Sequence, residues 1–337
     1  MSHHVEELHS SSKKFKMVAL DLDGTLLNSY HTLSDETVTH LRKLHKRGFI
    51  ICIATGRSAA ATATVIHRLD LLYTDIHLTT GIPVVCTNGA LGMTVMKGTV
   101  EANGDNLIAK GEEKVGINSA IEQSNPMLDG RLKLQKMFHY PVSISLTTKT
   151  LALAKEMGCV TNYYIDHDIY AQPLVDWHFK ATQKYSDLTG VIFKYCQDDY
   201  KEAISRGLPS KLLILCGEEN IDSAYQQIAK HLDGDAKVIR GSPPFFVEIL
   251  EKDVCKGNGL EQMCQSLNIP LEECISFGDG YNDIEFLQKS GIGYAMKNAP
   301  ENVKCIADKV TEYCNNEDGV IRALIDLEQN ERLHFEN

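Results

Sequence analysis

Two carboxylates one residue apart, Asp21 and Asp23, end the apolar run Met17–Leu20 and are followed by Gly24 and Thr25. A short apolar run bounded by turn residues reads as a buried strand. Acids directly after it face the crevice where open α/β sheets bind ligands. No basic residue adjoins either acid in the sequence, so the pair would repel unless a cation sat between them. A hard cation such as Mg²⁺ prefers oxygen ligands and keeps positions open for water or phosphate. These residue types suit a carboxylate nucleophile, a second carboxylate that moves protons, and a magnesium ion between enzyme and substrate.

The same arrangement recurs along the chain. Phe49–Ala54 is an apolar run ending in Thr55-Gly56-Arg57, with an alanine-rich helix beginning near Ser58. The hydroxyl and backbone N–H groups of such a strand-to-helix turn can hold a phosphate, although ordinary turn chemistry explains Thr55 and Gly56 equally well. Arg57 reaches a substrate or pairs with a surface acid. Pro83–Cys86 ends in Thr87-Asn88-Gly89, where Asn88 and Gly89 line a pocket or simply make the turn. Cys274–Phe277 ends in Gly278-Asp279-Gly280-Tyr281-Asn282-Asp283. Alone, that loop could be a solvated turn, and it lacks the bidentate Glu of an EF-hand. Lys256, at the start of a helix, is by itself an ordinary surface lysine.

The elements that position these turns fall into two styles. Ser34 caps a helix running to Lys46, and βα alternation covers residues 16–91 and resumes over 250–337. Residues 92–249 differ. Within them, 98–129 is acidic and Gly/Asn-rich and reads as a surface insertion. From Leu132 onward strands and helices come in blocks, the mark of an α+β unit. Residues 172–190 are expected to be an irregular link. Tyr170, Trp177, His178 and Phe179 are read as core in preference to substrate contacts. The fold class expected is therefore α/β, a Rossmann-like core with a mostly parallel sheet, interrupted by an inserted α+β cap.

The bulk numbers set limits. With 337 residues, 43% hydrophobic and 23% charged, the chain can build two globular domains. No apolar run approaches the roughly 20 residues needed to span a bilayer. Residues 1–15 are polar and read as a disordered tail without the apolar stretch of a secretory signal. The ten cysteines include no C-x-x-C pair, which suits reduced thiols and a cytoplasmic location. A net charge of −11 argues against nucleic acid or an anionic membrane as partner. A phosphorylated substrate then requires a locally positive pocket.

Taken together, Asp21-Leu22-Asp23-Gly24-Thr25, Thr55-Gly56-Arg57, Lys256 and Gly278–Asp283 occur in the order and spacing of the haloacid dehalogenase (HAD) phosphatases. The finer resemblance is to the Cof-type subgroup, which carries a large α/β cap between the second and third motifs. Pro83–Ala90 and Ala295–Pro300 support it. The resemblance spans nearly the whole chain from Lys16, apart from the 92–129 insertion, which is longer than the family suggests.

The resemblance implies roles. Asp21 is the nucleophile that forms an aspartyl-phosphate, and Asp23 is the general acid and base. Asp21, Asp279 and the backbone carbonyl of Asp23 hold Mg²⁺, with Asp283 supporting the metal from behind. Thr55 and the Gly56 amide bind the phosphate, joined by Lys256 and Asn282. The expected substrate is a small phosphorylated metabolite, a sugar phosphate first, and the expected state a monomer with a dimer as alternative. Two rivals stand beside this reading: a sugar phosphomutase on the same scaffold, and a non-catalytic binding protein.

Overall fold

The computed structural model describes residues 14–69, 71–73, 81–97, 132–241 and 243–335. The expected insertion over 98–129 and most of the expected tail lie outside the described residues. Phe15, assigned to that tail, is buried and bridges to Leu333.

Among the described residues, one sheet has eight strands: β1 (Met17–Leu20), β2 (Ile50–Ala54), β3 (Ile82–Cys86), β4 (Leu91–Lys97), β5 (Leu132–His139), and, from the other end of the chain, β12 (Cys274–Gly278), β13 (Ile292–Ala295) and β14 (Lys309–Val310). Their order is β14-β13-β12-β1-β2-β3-β4-β5. All pairs are parallel except β3–β4 and β4–β5. Residues 92–97 and 132–139, expected in the inserted unit, thus extend this sheet: a tight Thr87–Gly89 turn sends β4 straight back along β3, and β5 follows along β4.

The strands read as continuous apolar runs because both faces are covered. Val18, Leu20, Ile51, Ile53, Ile275 and Phe277 pack against helices α1 (Asp35–Lys46), α2 (Ala59–Leu69) and α10 (Gly319–Gln329). Met17, Ala19, Cys52 and Cys274 point the other way, toward α7 (Lys256–Ser266) and α8 (Ile284–Lys289). Ser34 caps α1 by accepting from the Thr37 N–H at 2.9 Å. All ten cysteines are free thiols, most of them buried.

The second sheet has the order β10-β11-β9-β6-β7-β8, from β6 (Val160–Ile165), β7 (Asp168–Ala171), β8 (Phe193–Tyr195), β9 (Lys211–Leu215), β10 (Ala236–Arg240) and β11 (Phe246–Glu251). Only the β7–β8 pair is parallel. One face packs on α3 (Ile144–Glu156) and α6 (Ile221–His231); α5 (Lys201–Arg206) and α9 (Glu301–Lys304) are short helices.

The 172–190 segment is not an irregular link. It holds helix α4 (Asp176–Thr189), ended by Gly190 in the left-handed conformation at φ 69°. Its buried residues, His178, Ala181, Thr182 and Tyr185, recur at helical spacing but are mostly polar, which hid the period. Tyr170 and His178 are buried as expected, whereas Trp177 and Phe179 stand on the outer face of α4, 38% and 48% exposed.

Candidate active site

β1 lies between β2 and β12, and the chain winds outward from it in both directions. The carboxyl end of β1 is therefore a topological switch point, where a crevice opens between diverging loops. Every turn singled out in the sequence converges there.

Asp21 continues β1, its N–H bonded to the Phe277 carbonyl at 3.0 Å. Its side chain is buried and accepts from Lys256 Nζ at 2.5 Å. The same ammonium donates to Asp283 Oδ1 at 2.7 Å. Lys256, far from an ordinary surface lysine, is 1% exposed at the first turn of α7. Burial alone would discharge its ammonium, but the Asp21 and Asp283 charges override that and hold it protonated. Asp283 Oδ2 accepts the N–H groups of Asp279 and Gly280 at 3.0 and 2.9 Å. Asp283 thus shapes the loop that presents Asp279 and anchors Lys256.

Carboxylate oxygens of Asp21, Asp279 and Asp283 lie within 4.8 Å of one another. Three acids against one lysine leave uncompensated negative charge. Burial, then the neighbouring acids, push Asp21 up to about 8 despite Lys256. Burial and Asp283 push Asp279 up to about 6 despite the Thr25 hydroxyl, which donates to its Oδ1 at 3.1 Å. An all-oxygen donor set with surplus charge fits a hard divalent cation. Gly24, at φ +79°, is what lets the loop close: a Cβ there would fall 2.3 Å from Asp279 Oδ2.

Asp23 faces the other way. Arg57 grips its carboxylate with Nε at 2.7 Å and a terminal nitrogen at 2.5 Å, and His31 Nδ1 lies 2.8 Å from it. Partial burial would raise this carboxyl, but the Arg57 hydrogen bonds and charge, then His31, leave it below its ordinary value. Sequence reasoning left Arg57 either reaching a substrate or pairing with a surface acid, and it missed His31, which lies in an uninformative polar stretch.

The two remaining turns are laced together. Thr55 N–H donates to Val85 O, Thr87 N–H to Arg57 O, and Asn88 N–H to Thr55 O, at 2.8, 2.9 and 3.1 Å. The Thr55 hydroxyl accepts from the Arg57 N–H at 3.2 Å, closing the turn around Gly56. Asn88 Oδ1 accepts from Asn282 Nδ2 at 3.0 Å. Gly89, at φ +100°, packs so closely on the start of α7 that a Cβ would lie 2.1 Å from Cys255 O. The turns singled out in the sequence thus converge on this crevice, the Thr55-Gly56-Arg57 and Thr87–Gly89 turns being joined to Asn282 through Asn88. Two residues from the second sheet join them without a sequence signal: Glu248 Oε2 accepts from Asn88 Nδ2 at 3.1 Å, and Lys211 Nζ lies 3.4 Å from Gly56 O.

With this geometry in view, comparison with known proteins is decisive about class. The chain belongs to the haloacid dehalogenase-like hydrolase family, whose model matches residues 18–106 and 131–324. The 5-amino-6-(5-phospho-D-ribitylamino)uracil phosphatase YitU of Bacillus subtilis is 27% identical over 322 residues, covering 91% of this chain and 96% of that protein. Among solved structures, TM0651 of Thermotoga maritima shares the fold at TM-score 0.70 and 22% identity, over 96% of this chain and 98% of that one. The HAD subclass IIB sugar phosphatase BT4131 does so at TM-score 0.62 and 22% identity, over 93% and 99%. This protein is a phosphatase of the Cof-type group. No helix among the described residues is long and apolar enough to cross a membrane.

Proposed function

We propose that this phosphatase hydrolyses a small phosphorylated polyol, a sugar or sugar-alcohol phosphate, through a phospho-enzyme formed on Asp21. The observation that carries the proposal is the buried Asp21–Lys256–Asp283 corner at the end of β1, with Asp279 beside it. YitU is named for a phosphoribityl substrate and BT4131 as a sugar phosphatase, and both names denote phosphorylated polyols.

In this reading Asp21 attacks phosphorus while the P–O bond to the leaving group breaks, giving an aspartyl-phosphate and an alcohol. Water then displaces the carboxylate and releases inorganic phosphate. Lys256 offsets charge on the nucleophile and the phosphoryl oxygens, and the Thr55 hydroxyl, Gly56 amide and Asn282 carboxamide hold those oxygens in place. Asp21 and Asp279, with the Asp23 carbonyl, would hold a Mg²⁺ ion, with Asp283 behind them. When bound, the ion supplies charge neutralisation and orientation. Asp23 as Arg57 holds it is ionised, the form that takes a proton from the attacking water. An incoming phosphate dianion beside it favours its protonated form and competes for Arg57, readying Asp23 to protonate the leaving oxygen. The second sheet acts as a cap that shields these steps from bulk water.

The test is phosphate release from a panel of sugar and sugar-alcohol phosphates, with and without Mg²⁺, together with acid-quench trapping of phosphorylated Asp21. Turnover that survives chelation of divalent ions, or that persists in Asp21→Asn, would overturn this mechanism.

A further inference from the structure

The second sheet contributes a polar cluster that the mechanism above does not use. Lys211 and Glu248 are 2% and 9% exposed, and Lys211 Nζ donates to Glu248 Oε1 at 2.6 Å. Glu248 pairs across the strands with Leu213, which also pairs with Asn162, while Lys211 pairs with Tyr164. Because cross-strand partners and alternate residues share a face, Lys211, Glu248, Asn162 and Tyr164 all lie on one side of this sheet. That side carries α4, whose Tyr185 hydroxyl accepts from the Tyr164 hydroxyl at 2.7 Å. It also meets the phosphate turns, through Lys211 to Gly56 O and Glu248 to Asn88.

A buried ion pair is a poor source of stability, since two apolar side chains of similar volume often serve as well. This one also has bonding capacity to spare. Lys211 uses two of its three N–H donors, and the Glu248 carboxylate accepts two hydrogen bonds where about four fit. Asn162 is wholly buried, and its carboxamide oxygen has no hydrogen-bond partner. Unsatisfied buried polar groups are uncommon and call for a missing partner. A charged donor and a charged acceptor side by side match a hydroxyl, which both donates and accepts.

We propose that Lys211 and Glu248 are specificity-determining residues that recognise neighbouring hydroxyls on the leaving group, with Asn162 extending the same polar face. This rests on the phosphatase reading above and assigns its selectivity to named residues. An alkyl or aryl phosphate can occupy the phosphate turns but leaves this face unsatisfied, so it is turned over poorly for lack of binding energy at the reacting centre.

The test compares kcat/KM for ribitol 5-phosphate and glucose 6-phosphate with that for p-nitrophenyl phosphate, which has no hydroxyls on its leaving group. In Glu248→Gln and in the double variant Lys211→Met/Glu248→Leu, the better polyol phosphate is expected to lose roughly ten- to a hundredfold more than the aryl phosphate. The double variant leaves no orphaned charge, and near-isosteric Glu248→Gln carries the comparison should the double variant fail to fold. Equal losses on both substrate types would overturn the proposal and reduce the pair to a brace between the sheets. Wild-type hydrolysis of p-nitrophenyl phosphate but of neither polyol phosphate would also overturn it. Failure to release phosphate from any of the three would instead sink the phosphatase mechanism itself.

Discussion

Among the described residues two lysines are buried against carboxylates, and they are assembled in opposite ways. Lys256 meets Asp21 and Asp283 because loops at the carboxyl ends of neighbouring parallel strands converge on the first turn of α7. Lys211 meets Glu248 because two antiparallel strands place them one row apart on a sheet face. The first site is buried and holds more acids than bases; burial first, then the neighbouring acids, push Asp21 and Asp279 above their ordinary values. The second is balanced one to one: burial pulls the Lys211 ammonium down, but Glu248 holds it above its usual range. Surplus negative charge invites a cation and, through it, a phosphoryl group. Balanced charge with spare bonding capacity suits a neutral, hydroxylated group. One sheet would thus handle phosphorus and the other what phosphorus is attached to.

The largest expected effects fall on the first site. Asp21→Asn removes the nucleophile while keeping shape, so turnover should fall by roughly 10⁴-fold or more, read as phosphate release. Lys256→Met should be as inactive and, in addition, less stable by about 3–5 kcal/mol, because Asp21 and Asp283 lose the buried ammonium that donates to both. Urea unfolding measures the second effect. If Lys256→Met were as stable as the wild type, the charge surplus that distinguishes the two sites would not exist.

This contrast also explains what could be read in advance. The acids proposed for the chemistry were legible because Asp21 and Asp279 each follow the end of a short apolar strand, so local sequence carries the geometry. Asp21 follows Leu20 directly, and Asp279 follows the last strand residue, Gly278. Lys211 and Glu248 are 37 residues apart, and nothing near either one indicates that they touch. Their pairing depends on the register of β9 against β11, a non-local quantity. The misread α4 has the same origin. Its buried face, with His178 and Thr182, is polar enough to hide the helical period, and what covers it is a sheet face assembled partly from strands such as β9 that lie further along the chain. β4 was overlooked because a Gly-containing run, Leu91–Lys97, followed a turn already assigned to a boundary.

Asn88 bridges the two regions and offers a sharper test of moderate size. Its carboxamide accepts from Asn282 on one side and donates to Glu248 on the other. Asn88→Ala should cost about 1–2 kcal/mol in stability, since a buried acceptor on Glu248 loses its donor. The combination of Asn282→Ala with Glu248→Gln should show a coupling on the order of 0.5–1 kcal/mol that vanishes in the Asn88→Ala background. Coupling that persisted without Asn88 would mean that the two sites communicate by another route.

The smallest expected effect comes from a third cluster of charges, on the far side of the second sheet from Lys211. Asp168, at the start of β7, accepts from Lys194 at 2.8 Å and from Arg206, which also donates to the Tyr170 hydroxyl at 2.7 Å. These contacts tie edge strand β8 and helix α5 to the sheet, on the far side of β6 from β9. Burial raises the Asp168 carboxyl, but the Lys194 and Arg206 hydrogen bonds outweigh it and leave it below its ordinary value. A carboxyl lowered in the folded state stabilises fully above its unfolded value of about 4, and that contribution fades as pH falls through the folded value. Solvent screens part of the effect, so Asp168→Asn should cost about 1 kcal/mol or less at pH 7 and progressively less toward pH 3. Its kcat/KM on every phosphate ester should match the wild type. Urea midpoints of both proteins across that pH range would converge at the acid end. A change in substrate preference instead would mean that selectivity is spread over the whole second sheet and not concentrated at Lys211 and Glu248.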